Sequence, residues 1–257
     1  MLYNKEILNL KKISDDENGI RYIIIDNLFE DDFIKKCESE FLEIGHDNFI
    51  KYSNKFFEYE KYTLNNSEKI PENLRTLFDI IHSEEFTKIV SSVSLIDDLK
   101  TDGKRWGGGL HMTKEGGYLS IHKDFNILPT SYSSSLQMLR CMNLIGYLNS
   151  EWKSGDGGEL EFWDKNGEKC IVSVEPKFNR WVLFDTRDNF HGHPYPYKGK
   201  TPRISIASYY YTEEKIDESL WSSTRYLKLP WMDDSDEYRE ERIRRSDPKI
   251  RYGSIIK

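Results

Sequence analysis

Residues Arg140–Thr212 read RCMNLIGYLNSEWKSGDGGELEFWDKNGEKCIVSVEPKFNRWVLFDTRDNFHGHPYPYKGKTPRISIASYYYT, and this stretch decides the fold. Short runs rich in Leu, Ile, Val, Phe and Tyr are separated by the turn signals SGDGG, KNG and YKGK. β-branched and aromatic residues favour a pleated, half-buried surface, and closely spaced turns leave no room for long helices. The text predicts several short strands of a sandwich or barrel, with the glycines as turn punctuation. The same character begins at Gly107, so a strand-rich core is expected over residues 107–212.

Working outward, Arg21–Asp26 (RYIIID) is another β-branched run, followed by Phe33, Ile34, Cys37, Phe41 and Leu42 at helical i, i+3/i+4 spacing. Pro71–Ser92 carries a second helical pattern, with Leu74, Leu77, Phe78 and Ile81 on one face. Residues 1–106 are therefore expected to form a strand and a helical support layer within the same domain. Residues 213–257 form a charged extension in which Glu and Arg alternate (EYREERIRR), the pattern of a solvated helix with a frayed end. Phe125–Leu139, with its Ser-rich centre, reads as a loop and a candidate lid. A chain of 257 residues accommodates this as one domain with terminal decorations.

Composition excludes some partners. A net charge of −7 and a pI near 5.5 oppose nonspecific attraction to nucleic acid or to anionic membrane, both of which reward excess Lys and Arg. The three cysteines, Cys37, Cys141 and Cys170, form no CxxC pair, so neither a thiolate zinc site nor a thiol redox motif is expected. No run approaches the ~20 apolar residues of a membrane helix, and the first twelve residues, MLYNKEILNLKK, lack the apolar core of a secretion signal. A reduced, cytoplasmic setting is expected, without nucleic acid or membrane as partner.

The chemistry lies in GGYLSIHKDFN, Gly116–Asn126. On a strand, residues two apart project from the same face, so His122 and Asp124 would converge on one point. NFHGHP offers two candidates for a third ligand, His191 and His193. Two neutral imidazoles and one carboxylate make the facial triad of non-haem iron(II), with open positions on the remaining side. A closed zinc site would instead call for four protein ligands, often thiolates, and no cysteine lies beside either histidine. Twelve residues beyond His191, Arg203 opens the run RISIASYYYT with Ser205, Ala207 and Tyr209 on its face. A guanidinium fork there can hold one end of a dicarboxylate through paired, charge-assisted hydrogen bonds.

The order His-x-Asp, His, Arg-x-Ser resembles that of the 2-oxoglutarate- and iron(II)-dependent oxygenase superfamily. RCMNLIGYLNSEWKSGDGGELEFWD, VEPKFNRWVLFDTRDNFHGHPYP and KTPRISIASYYY are similar to the core of its prolyl 4-hydroxylase-like branch, including the prolyl-hydroxylase-domain oxygen sensors. YIIIDNLFEDDFIKKC is similar to the opening strand and helix of many members, and the main match runs from Gly107 to Tyr211. The resemblance implies a mainly β fold with α, a double-stranded β-helix or jelly roll buttressed by the N-terminal helices. It implies His122, Asp124 and His191 as metal ligands, because His191 begins the family's His-x-x-Pro stretch, and it leaves His193 as a pocket residue. Arg203 would pair the distal carboxylate of 2-oxoglutarate, with Tyr147 hydrogen-bonding the same group and Ser205 offering a hydroxyl. Fe(II), 2-oxoglutarate as co-substrate and O2 are the implied cofactors, with ascorbate in support.

The implied reaction is hydroxylation of a C–H bond coupled to oxidative decarboxylation of 2-oxoglutarate. Retention of the Asp124 carboxylate argues against the halogenases of the superfamily, which replace it with a small residue. A prolyl residue of a peptide or protein is the expected substrate, and a free amino acid or small metabolite is the alternative. The acidic charge makes nucleic-acid demethylation a third choice, and a catalytically inactive jelly-roll binding module is the alternative of another class. Arg140 matches a family arginine at the substrate mouth. The sequence departs from the oxygen sensors in Ala207, where they carry a threonine, and in Met112, ten before His122, where a tyrosine contacts the co-substrate. The Phe125–Leu139 segment is also longer.

Overall fold

The structure is a computed structural model, and it describes residues 2–6, 13–15, 19–103, 105, 107–128 and 137–252. The strands in chain order are β1 (Ser14–Asp15), β2 (Arg21–Asp26), β3 (Ile50–Asn54), β4 (Glu58–Leu64), β5 (Lys100–Thr101), β6 (Gly109–Lys123) and β7 (Gln137–Tyr147). They continue with β8 (Leu160–Trp163), β9 (Cys170–Val174), β10 (Arg180–Asp185), β11 (Phe190–His193), β12 (Arg203–Glu214) and β13 (Arg225–Tyr226). All join a curled antiparallel sheet in the order β1-β2-β10-β7-β12-β6-β11-β8-β9, with β4, β13 and β5 as side branches and β3 beyond β4. The architecture is a jelly roll.

β6 makes the roll. Its first half, Gly109–Thr113, pairs with β12, and its second half pairs with β11 through Leu119 and His122. One strand therefore serves both halves of the barrel, and side chains on its inner face look into the space between them. β10 (RWVLFD) lies between β2 and β7 and is buried from Trp181 onward, which accounts for its continuous apolar text.

The helices cover the outer face of the sheet. In α1 (Asp31–Glu43) the residues Phe33, Ile34, Cys37 and Phe41 are buried, whereas Leu42 is 55% exposed, so the apolar stripe is narrower than the sequence spacing predicts. The helical pattern expected over Pro71–Ser92 is two helices, α2 (Glu72–Ile81) and α3 (Glu84–Ser94). The break falls at His82 and Ser83, where the Ser83 hydroxyl accepts from the Phe86 N–H and caps the second helix. Phe33, Phe78, Phe86, Trp181, Leu183 and Ile206 belong to one core shared by these helices and the sheet.

Two regions depart from the sequence expectations. The β3–β4 hairpin was not foreseen, and it pairs with β6 along both halves of that strand. The charged extension forms α4 (Asp236–Ser246) and α5 (Pro248–Tyr252), but its inward side is buried: Tyr238 and Tyr252 are in the core, and Arg245 pairs with Glu58 at 2.6 Å. The expected frayed end at 253–257 and the Ser-rich centre of the Phe125–Leu139 loop, 129–136, lie outside the described residues. The two ends of that loop meet in a bridge between Ile127 and Leu139.

One side chain joins the strand–helix corner to β10. Asn179, at φ 54°, donates to the Phe29 carbonyl and to Asp31 Oδ1, both at 2.7 Å, and accepts from Trp181 Nε1 at 3.3 Å. Asn179→Ala orphans these buried groups and is expected to cost about 2–4 kcal/mol in urea unfolding with an unchanged m-value. A second test concerns His82, whose Nε2 lies 2.6 Å from the Ser208 hydroxyl between α2 and β12. Burial and the neighbouring Arg105 push its pKa down to about 4. The unfolded chain then binds a proton that the folded chain refuses between about pH 6.5 and 4, so stability is expected to fall with pH across that window. His82→Gln should flatten that part of the stability–pH profile.

Candidate active site

His122 and His191 face each other directly in the β6–β11 pairing, with ring centroids 4.7 Å apart. The approach depends on Gly192, where a Cβ would lie 2.7 Å from the Leu119 carbonyl oxygen and 2.9 Å from that of Ser120. Asp124 stands just past the end of β6. Its Oδ1 is 3.6 Å from His122 Nε2, and its Oδ2 is 3.9 Å from His191 Nε2. One ligand atom from each of the three buried residues lies within 4.8 Å of the others, the period-two spacing of His122 and Asp124 having brought both to one point.

The surroundings set the protonation of each group. His122 Nδ1 contacts the Ser120 carbonyl at 2.9 Å, and His191 Nδ1 contacts the Asn189 carbonyl at 3.3 Å. A carbonyl can only accept, so Nδ1 carries a proton in both rings and Nε2 is the atom turned toward Asp124. Burial and the neighbouring His122 push the His191 pKa down to about 4, which keeps its imidazole neutral at pH 7. Burial works against the Asp124 carboxylate, but His122, Arg140 and His191 outweigh it and hold the carboxyl well below the usual carboxylate range. Asp124 Oδ2 is buried with no hydrogen-bond partner among the described residues. An ionised oxygen left this way is costly unless a cation or donor completes it. Two imidazoles with Nε2 turned inward and a carboxylate with an unpartnered oxygen among the described residues fit a divalent metal.

Arg203 starts β12, and Arg203, Ser205, Ala207 and Tyr209 line a cavity of about 580 Å³ that also contains the three residues above. Arg203 Nε donates to the Gly158 carbonyl at 2.7 Å, and Nη2 donates to the Tyr147 hydroxyl at 3.4 Å. Gly158 has φ +78°, and a Cβ there would lie 2.7 Å from Arg203 Cδ. The SGDGG stretch therefore shapes the seat of the arginine, a role beyond turn punctuation. Tyr147 is fully buried, its ring 5.0 Å from the guanidinium carbon, and Ser205 is buried in the wall. His193 also lines the cavity, its Nδ1 without a partner among the described residues, and burial together with Arg203 keeps its imidazole neutral.

Met112 does not line the cavity. It is buried in the core shared with the helices, and the cavity receives His111 and Thr113. Separations of eleven and nine residues from His122 would place these two on the opposite face of a regular strand. Pairing with β4 jumps from Thr113 to Tyr118 while β4 moves only from Lys61 to Tyr59, and this irregularity shifts the pleat. Sequence reasoning also missed Glu58 and Lys61 of the hairpin and Arg245 and Arg251 of the tail, all of which line the cavity. The alternating charged and aromatic text EYEKYTL carried a strand signal for the hairpin. Nothing in the local pattern pointed to the tail arginines.

The sequence model of the 2OG-Fe(II) oxygenase superfamily matches residues 93–211, a span that holds His122, Asp124, Tyr147, His191, Arg203 and Ser205. Among solved structures, a prolyl-4-hydroxylase of Pseudomonas putida is similar with a TM-score of 0.55 at 14% identity, covering 74% of this chain and 91% of that one. A prolyl hydroxylase from Trichoplax adhaerens, in complex with a hypoxia inducible factor oxygen degradation domain peptide, gives 0.57 at 18% identity over 80% and 88% of the two chains. HygX from Streptomyces hygroscopicus, with nickel, 2-oxoglutarate and hygromycin B bound, gives 0.50 at 12% identity over 74% and 82%. At these identities the likeness is one of fold, and it is the jelly roll described above. In sequence, in fold and in its buried His-Asp-His cluster, the span 93–211 matches the 2OG-Fe(II) oxygenase superfamily.

Proposed function

We propose that His122, Asp124 and His191 hold the iron(II) of this oxygenase, that Arg203 receives the distal carboxylate of its 2-oxoglutarate, and that the chain hydroxylates a C–H bond of a prolyl residue in a peptide or protein. The observation that carries the metal assignment is the convergence of the three buried ligand atoms within 4.8 Å. Iron(II) with 2-oxoglutarate, when bound, activates O2 for hydroxylation and releases succinate and carbon dioxide. The chain's own residues bind, orient and keep the site dry.

The Ser120 and Asn189 carbonyls hold each imidazole with Nε2 inward. The Gly158 carbonyl and the Tyr147 hydroxyl fix the guanidinium of Arg203, so its remaining N–H groups meet a carboxylate in a preset geometry. Tyr147 supports co-substrate binding from behind Arg203, and Ser205 adds a hydroxyl on the same strand face. Ile145, Leu160 and Leu119 supply apolar wall between these polar groups. His193 stands two residues from His191 as a pocket residue. A binding module without turnover has no need of this arrangement.

The prolyl reading is supported by the fold likeness to prolyl hydroxylases. A free amino acid or small metabolite is a second reading, and the cavity favours it. Its size is typical of small-molecule sites, and Thr224, Tyr226, Arg245 and Arg251 of the C-terminal extension contribute to its wall.

Anaerobic addition of iron(II) and 2-oxoglutarate is expected to give the weak visible charge-transfer band of the chelate, and air should then produce succinate without added substrate. Absence of both would sink the assignment. His191→Ala should abolish iron binding while His193→Ala retains most of it; the reverse pattern would move the triad. Arg203→Ala removes one partner of a buried charge pair, a loss of about 2–5 kcal/mol, and should raise the 2-oxoglutarate requirement tenfold or more. An equal rise in the iron requirement would count against its role.

A further inference from the structure

We infer that the wall formed by Phe125, Arg140 and Arg251 receives a carboxylate of the oxidised substrate, which makes that substrate a small organic acid, a free amino acid foremost. The inference rests on the hydroxylase reading above and, of its two substrate readings, takes the free amino acid in place of the prolyl residue of a peptide.

The first observation is charge. The chain carries a net charge of −7, yet the cavity is lined by five cations, Lys61, Arg140, Arg203, Arg245 and Arg251, against two acids, Glu58 and Asp124. Glu58 is engaged by Arg245 at 2.6 Å and Lys61 at 3.4 Å, and Asp124 belongs to the metal set. A divalent cation and a doubly charged co-substrate cancel each other. The cavity then keeps an excess of positive charge, and Arg140 and Arg251 lie away from the co-substrate's arginine. Six residues along β12, about 20 Å at ~3.3 Å per residue, separate Arg203 from Tyr209, the ring against which Arg140 stacks at 3.6 Å.

The second observation is construction. The guanidinium carbons of Arg140 and Arg251 lie 3.8 and 4.1 Å from the centroid of the same Phe125 ring. Stacking occupies the face of a guanidinium and leaves its N–H donors along the edge. Arg251 is held there by the hydroxyls of Ser223 and Thr224, each at 3.1 Å. The adjacent Tyr252 anchors the helix by donating to the carbonyls of Ile127 and Ser222 at 3.2 Å. Two like charges on one ring repel, and an anion drawn to the edge of either guanidinium offsets that repulsion.

The third observation is position. Phe125 directly follows Asp124, and Arg140 Nη1 lies 3.7 Å from Asp124 Oδ1. A carboxylate at this wall sits beside the metal set, so it and the oxidised carbon belong to one small molecule. An internal peptide residue has no free carboxyl there, because its carboxyl carbon is in an amide.

The test is calorimetric titration of the full chain, loaded with 2-oxoglutarate and with manganese(II) in place of iron to prevent turnover, using L-proline, L-prolinamide and a peptide with blocked ends and one internal prolyl residue. L-Proline is expected to bind roughly tenfold or more tighter than either neutral probe, the difference expected of a charge-assisted pair. Arg251→Gln should erase most of that preference and move 2-oxoglutarate affinity far less, while Arg251→Lys should retain part of it. Equal binding of acid and amide, binding by none of the probes, peptide affinity matching that of the acid, or a preference that survives Arg251→Gln would each overturn the inference. Failure of the iron(II)–2-oxoglutarate band in the wild type would instead bring down the hydroxylase reading on which it stands.

Discussion

The pairing of His122 with His191 across β6 and β11 is the constraint on which the rest of the structure depends. Two imidazoles can face each other at this distance only if the strands run closely side by side, and Gly192 permits that by leaving room for the Leu119 and Ser120 carbonyls. β6 must in turn be long enough to reach β12 with its other half, because Arg203 enters the cavity from there. The end of the cavity that holds His122 and His191 and the end that holds Arg203 are thus connected through a single strand.

Burial does the electrostatic work. In water a histidine is partly protonated near neutrality, but in this cavity the loss of solvent keeps His191 and His193 neutral. The same burial would protonate Asp124 were it not surrounded by His122, Arg140 and His191. Opposite outcomes for imidazole and carboxylate arise because His122, beside His191, and Arg203, beside His193, act in the same direction as desolvation, whereas the neighbours of Asp124 overrule it. His191 and Asp124 are thus already in the protonation states a divalent cation requires.

Much of this was legible in the sequence. Period-two spacing identified His122 and Asp124 as a pair, and the turn-separated apolar runs from Gly107 onward announced the barrel. Arg203 was readable because it opens a strand on the same face as Ser205 and Ala207. What escaped notice depends on irregular or distant geometry. The two-residue repeat assigns Met112 to the face of His122, but the irregular pairing opposite β4 reverses the phase. The service of Gly158 to Arg203 links residues 45 positions apart and leaves no periodic trace. Arg245 and Arg251 sit in a tail whose alternating charges resemble an ordinary solvated helix, and the Glu58 contact and the Phe125 ring reveal their inward direction.

The irregular stretch of β6 opposite β4 bears on how the protein can vary in length. Every side chain before it and every side chain after it must agree on which face is the cavity, and that agreement is a matter of parity. Gaining or losing two residues between Thr113 and Tyr118 leaves His111 and Thr113 facing the metal side. Losing one, with the irregular pairing otherwise as it is, exchanges them with Leu110 and Met112, placing an isobutyl group and a thioether in the cavity and an imidazole among the helices. Length change at this point is therefore quantised in pairs, although nothing in the composition of the segment marks it as different from an ordinary glycine-rich loop.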